Sequence, residues 1–178
     1  MTNKFFHLLL ILSFSWTAQA LAQGYQHTIK LDAMQLQWRV DGSNLAVMVS
    51  AQTKGWVGVG FNPEKMMQGA NFIIGYVKEG DVKISDEYGH RTTGHVSDEQ
   101  RGGKFSLLSA SGYEKGDLTT LEFVIPLNSG DKTDTIIDPK GKTILQLAHG
   151  PKDSLNVGHS YYKTLEVNLE SGAYKIIN

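Results

Sequence analysis

Apolar and polar residues alternate with a period of two along most of the chain. In 34–40, Met34, Leu36, Trp38 and Val40 share one face while Gln35, Gln37 and Arg39 share the other. Asp41-Gly42 reads as a hairpin turn, and 44–51 repeats the alternation through Leu45, Val47, Val49 and Ala51. Further strands are predicted from Gln26 onward and across 55–61, 72–77, 82–88, 121–127, 143–148, 165–169 and 173–177. About ten short strands with no amphipathic helical pattern predict an all-β fold, an antiparallel β-sandwich. The polar stretch 89–104 reads as a loop at one end of it.

Residues 1–22 break the pattern. Lys4, an apolar run over 5–16 and the small residues of Ala20-Leu21-Ala22 read as a signal peptide cleaved after Ala22. The run is too short to span a membrane. The expected product is one domain, 23–178, exported to the periplasm or medium. The chain has no cysteine, which excludes thiolate nucleophiles, Fe–S clusters, thiolate-bound zinc and covalent c-type haem. With 17 basic and 18 acidic residues, no charge field points to nucleic acid or a membrane surface. No nucleophile elbow, zinc-binding H-E-x-x-H or phosphate loop is present, so no catalysis by the chain alone is expected.

One stretch is unusual for a strand pair. Gly55-Trp56-Val57-Gly58-Val59-Gly60-Phe61 is followed by a turn at Asn62-Pro63, the pair Met66-Met67, and a second apolar run from Phe72. Glycine weakens a strand and marks a place where another group comes close. A flat ligand against this hairpin with a methionine donor accounts for the pattern, as does a core with a loop methionine tucked in. Among the six histidines, His7 leaves with the signal peptide and His27 lies on an apolar strand face as a structural residue. His90 and His95 read as solvated loop residues, or as part of a zinc or copper site given a further donor. His149 ends an apolar strand and His159 follows ten residues later, after a turn-rich link. Methionine with histidine is the donor pair with one specific use, axial ligation of haem iron for electron transfer.

The order of these features resembles the DOMON family, and within it the haem b-binding cytochrome domains such as that of cellobiose dehydrogenase. The resemblance rests on Gly55-Trp56-Val57-Gly58-Val59-Gly60-Phe61, on Met67-Gln68-Gly69-Ala70-Asn71 with the apolar strand after it, and on Leu147-Ala148-His149-Gly150 followed by His159. It implies an immunoglobulin-like, DOMON-type sandwich. It also implies haem b held non-covalently at one end, with Met67 and His159 as axial ligands and apolar contacts from Trp56, Phe61 and Phe72. Met66 and His149 are the alternative ligands. The implied partner is a redox protein, a membrane b-type cytochrome or a dehydrogenase. Asn71 stands where an acid is more usual, and Gln146 where an aromatic often precedes the alanine. Other members of the family serve as carbohydrate- or protein-binding modules, the alternative function.

Overall fold

Residues 24–178 are described by the computed structural model; the predicted signal peptide lies outside them. The strands are β1 (His27–Lys30), β2 (Met34–Asp41), β3 (Asn44–Gln52), β4 (Val57–Phe61), β5 (Asn71–Lys78), β6 (Asp81–Arg91), β7 (Gly94–Ser97), β8 (Ser109–Lys115), β9 (Leu118–Pro126), β10 (Thr143–His149), β11 (Tyr161–Val167) and β12 (Tyr174–Ile176). A single-turn 3-10 helix, Asp98–Arg101, follows β7. Two antiparallel sheets stack as a sandwich, one ordered β1-β2-β3-β9-β8 and the other β12-β11-β10-β4-β5-β6-β7.

The predicted alternation becomes the core. Leu36 and Trp38 of β2, Val47 and Val49 of β3, and Leu121 and Phe123 of β9 face Val57, Val59 and Phe61 of β4 and Leu145 and Leu147 of β10 in one buried cluster. A residue that pairs on the wrong register would carry its whole strand's apolar set to the solvent side, so burial fixes each pairing. Trp38 joins the layers with more than its ring: its Nε1 donates to the Leu169 carbonyl at 2.9 Å, just beyond β11.

Two strands escaped the sequence pattern. β8 carries Ser109-Ala110-Ser111-Gly112-Tyr113-Glu114-Lys115 and is almost wholly exposed, so it has no buried face to write an alternation. It is an edge strand held by its ladder to β9. The stretch 89–104 is likewise not one loop. β6 runs on to Arg91, turns, and returns as β7 before the 3-10 turn.

Trp38→Phe removes the indole donor and leaves the buried Leu169 carbonyl without its partner. The expected loss is about 1–3 kcal/mol in urea denaturation; an unchanged midpoint would show that the bond contributes nothing.

Candidate functional site

All five residues of β4 are buried, although only Val57, Val59 and Phe61 belong to the core cluster. The other two, Gly58 and Gly60, face away from the second sheet. Strand register extends that outer face across the sheet. One row runs Gln146, Gly60, Phe72, Glu87, and the next runs Tyr162, Ala148, Gly58, Ile74, Ser85. A Cβ on Gly60 would lie 2.3 Å from Cε1 of Phe72, and one on Gly58 would lie 3.2 Å from Cγ1 of Ile74. The close approach that the glycines foretold is real, and the approaching groups are side chains of β5.

Along one border runs the 62–70 connection. Its tip closes by pairing Lys65 with Gln68. Gly69 N–H donates to Gly89 O at 2.8 Å and Gly89 N–H to Ala70 O at 2.9 Å, while Met67 N–H donates to Thr92 O at 3.3 Å. On the opposite side Gln146 Nε2 donates to the Met66 carbonyl at 2.8 Å. The methionine turn is therefore pinned to β6 at one flank and to β10 at the other. Met66 is 59% exposed with a φ of +54°, whereas Met67 is half-buried.

Along the other border runs 150–160. Gly150 N–H donates to Trp56 O at 2.9 Å and Trp56 N–H to Lys152 O at 3.2 Å. Gly55 allows this, because a Cβ there would lie 2.3 Å from Lys152 N. Trp56 Nε1 donates to Val157 O at 2.8 Å, so the indole braces the segment that leads to His159. The exposed His159 ring lies 4.9 Å from that of Tyr162, an outer-face residue of β11. Sequence reasoning assigned Trp56 and Phe61 to ligand contact. In the fold Trp56 anchors the 150–158 segment, and Phe61 sits 1% exposed in the core, on the face opposite Phe72.

Two further histidines have defined surroundings. His149 ends β10 on the core-facing side, stacked on Tyr161 at 5.5 Å, and burial holds its pKa below the usual value. His95 is not a solvated loop residue. It lies on β7, 5.4 Å from the Phe72 ring, with Nδ1 against the Glu87 carboxylate. Burial pushes the Glu87 carboxyl up, but the bond and charge of His95 outweigh it and leave Glu87 below its usual range. This Glu87–His95 pair was legible only as two residues eight apart.

Behind the methionine turn, Asp86 and Asp98 are buried close to Asp134. Burial pushes Asp86 up to about 7, with Asp134, Asp98 and Asp131 adding to it against the lowering bond from Ser106 N–H. Burial likewise raises Asp98 to about 6, against its bond from Thr133.

A family model of the DOMON domain matches residues 30–150. The chain belongs to the DOMON family. Among curated proteins, this DOMON chain is 28% identical over 113 residues to MOXD1 homolog 2 of Drosophila melanogaster, a match covering 63% of the chain and 15% of that relative. It is 27% identical over 141 residues to human DBH-like monooxygenase protein 1, covering 78% of the chain and 22% of the relative. The chain thus spans less than a quarter of either relative's length. Among solved structures, the cytochrome b domain of pyranose dehydrogenase from Coprinopsis cinerea superposes with a TM-score of 0.53 at 12% identity, covering 81% of this chain and 76% of that one. The cytochrome domain of Myriococcum thermophilum cellobiose dehydrogenase gives 0.50 at 13% identity, covering 72% and 69%. At such identities the likeness is one of fold.

Two outcomes are expected from this geometry. Gly89→Ala would put a Cβ 1.8 Å from the Met67 carbonyl, so the methionine turn must lift off β6. Overpacking of this kind costs about 1–3 kcal/mol, readable by chemical denaturation; a neutral substitution would mean the turn is not held there. The carboxyls give the second. Their folded pKa values of about 7 and about 6 lie above the 3.8 of an ordinary aspartate. The stability they contribute is complete below that ordinary value and is lost as pH rises through the folded values. In buffer with only monovalent salt, the melting temperature should fall between about pH 4 and about pH 7, and Asp86→Asn should flatten the fall. A parent profile flat over that range would contradict it.

Proposed function

We propose that this chain is an exported electron-transfer domain that binds haem b non-covalently on the outer face of the seven-stranded sheet, with Met67 and His159 as axial ligands. One observation carries the reading: the segments bearing Met67 and His159 border the same outer face from opposite sides, with Phe72, Ile74, Ala148 and the glycines of β4 at its centre. That position differs from the end of the sandwich expected from sequence. The residues fit the group in donor type, since a thioether and an imidazole together favour the reduced iron and raise its potential. His149 is turned toward the core, which favours His159. When bound, the haem would supply a one-electron couple, with Met67 and His159 as the residues that would hold its iron.

The chain's own residues do the rest. Gln146 and Gly89 hold the methionine turn, and Trp56 holds the histidine segment. Phe72, Ile74 and Ala148 would give the group an apolar bed that excludes water. Phe61 supports the bed from the core side. The partner is a redox protein, a dehydrogenase or a membrane b-type cytochrome, in keeping with the dehydrogenase-borne domains that share the fold. A second reading, a carbohydrate- or protein-binding module, is favoured by a cleft of about 450 Å³ beside the same face, lined by Tyr76, Lys83, Asp153 and Asn156.

The test is the visible spectrum of exported protein, oxidised and then dithionite-reduced. Six-coordinate haem b gives a Soret band that sharpens on reduction, with separate α and β bands. Met67→Ala and His159→Ala should each change that spectrum, while His90→Ala leaves it intact. A protein that stays colourless with added hemin would overturn the haem reading, and retention of the parent spectrum by both ligand variants would overturn the ligand assignment.

A further inference from the structure

Three aspartates converge beyond the methionine turn, and Asn71 is bonded to one of them. Asp86 Oδ2 accepts from Ser106 N–H at 2.8 Å, Asp98 Oδ2 from Thr133 Oγ1 at 2.6 Å, and Asp134 Oδ1 from Asn71 Nδ2 at 2.7 Å. Each of these side chains has its remaining oxygen shielded from solvent and unbonded: Asp86 Oδ1, Asp98 Oδ1, Asp134 Oδ2 and Asn71 Oδ1. Asp86 is 3% exposed, Asp98 1% and Asn71 4%. Two buried carboxylates, a third that is half-buried and a buried amide, with no neutralising lysine or arginine in the ion pairs of the described residues, form an arrangement that costs free energy as it stands.

We propose that Asp86, Asp98 and Asp134, with the Asn71 amide oxygen, form a calcium site that ties the start of β5 to β6, the 3-10 turn and the 131–134 segment. One oxygen from each aspartate lies within 4.8 Å of the others. Calcium holds oxygens at roughly 2.3–2.6 Å, so two ligands of one ion stand at most about 5 Å apart, and the cluster already meets that limit. The donors are all hard oxygens, with no imidazole or thiolate, which disfavours zinc and copper. They come from four separate segments rather than an octahedral frame, which suits the 6–8 adaptable ligands of calcium better than magnesium. Two positive charges would offset most of the charge of three carboxylates held this close together.

The site also has a place in the architecture. Asn71 opens β5 four residues after Met67, directly beyond the Gly69–Ala70 bonds to Gly89. A cation here fixes the point at which the methionine turn re-enters the sheet. It does so whether or not haem is bound.

The experiment uses colourless, haem-free protein stripped with EDTA and desalted, titrated calorimetrically with calcium chloride and separately with magnesium chloride, with melting temperatures taken in parallel. Expected are one calcium per chain, a saturable rise in melting temperature, and magnesium binding at least about tenfold weaker. Asp98→Asn should weaken calcium binding by more than about tenfold while its melting temperature in EDTA equals or exceeds the parent's, because one buried like charge is gone. Should that variant not fold, Asp134→Asn, at a less buried position, carries the same comparison. No calcium heat and no thermal shift in the parent, or parent-like calcium affinity in the folded variant, overturns the site. Because the readouts need no haem, failure here and failure of the electron-transfer reading are separate results.

Discussion

Strand β4 has to be covered on both faces, and much of the molecule is arranged to meet that requirement. Val57, Val59 and Phe61 are met by the second sheet. Gly58 and Gly60 present bare backbone on the other side, which β5 covers by laying Phe72 and Ile74 across it. Backbone flanked so closely by neighbours leaves no room for β-carbons at the glycine positions. The same strand also sets both borders of the outer face: Gly55 and Trp56 lock 150–158 at its start, and the methionine turn leaves from its end.

The two borders are held by different physics. The methionine turn hangs on backbone hydrogen bonds to β6 and one side-chain bond from Gln146, with Gly89 supplying the space. The histidine segment hangs on a packed indole whose one polar atom meets the Val157 carbonyl, a common use of tryptophan where an apolar body must end in a satisfied donor. Charge is handled unequally as well. Burial holds the His149 pKa below its usual value, and the Glu87 carboxylate lies against Nδ1 of His95. Asp86, Asp98 and Asp134 have no such partner in the ion pairs of the described residues, and the proposed divalent cation would resolve that imbalance.

Much of the fold is legible in single residues of the sequence. Trp38, Leu36, Val47 and Val49 sit where a period of two puts them, because a sandwich buries one face of each strand and the alternation records that. β8 left no trace, since an edge strand with both faces in solvent has nothing to alternate. β7 was hidden for a related reason: its ladder to β6 holds it, and its four residues are all only half-buried. Of the candidate site, Met67 and His159 were readable as donors on turn-rich segments. The roles of Trp56 and Phe61 were not, because an aromatic residue in a strand looks the same whether it braces a loop, fills a core or lines a ligand site.

What the sequence alone determined is the all-β class, most strand positions and the donor types available, since periodicity and composition are properties of local stretches. Only the tertiary structure decided that His149 turns inward while His159 stays on the outer face, that Glu87 holds His95, and that three aspartates from distant segments meet beside Asn71. Those facts depend on strand register and on loops brought together across the sheets. A residue's neighbours at 48 or 63 positions' distance, such as Asp134 to Asp86 or to Asn71, are fixed by pairing rather than by anything written beside them.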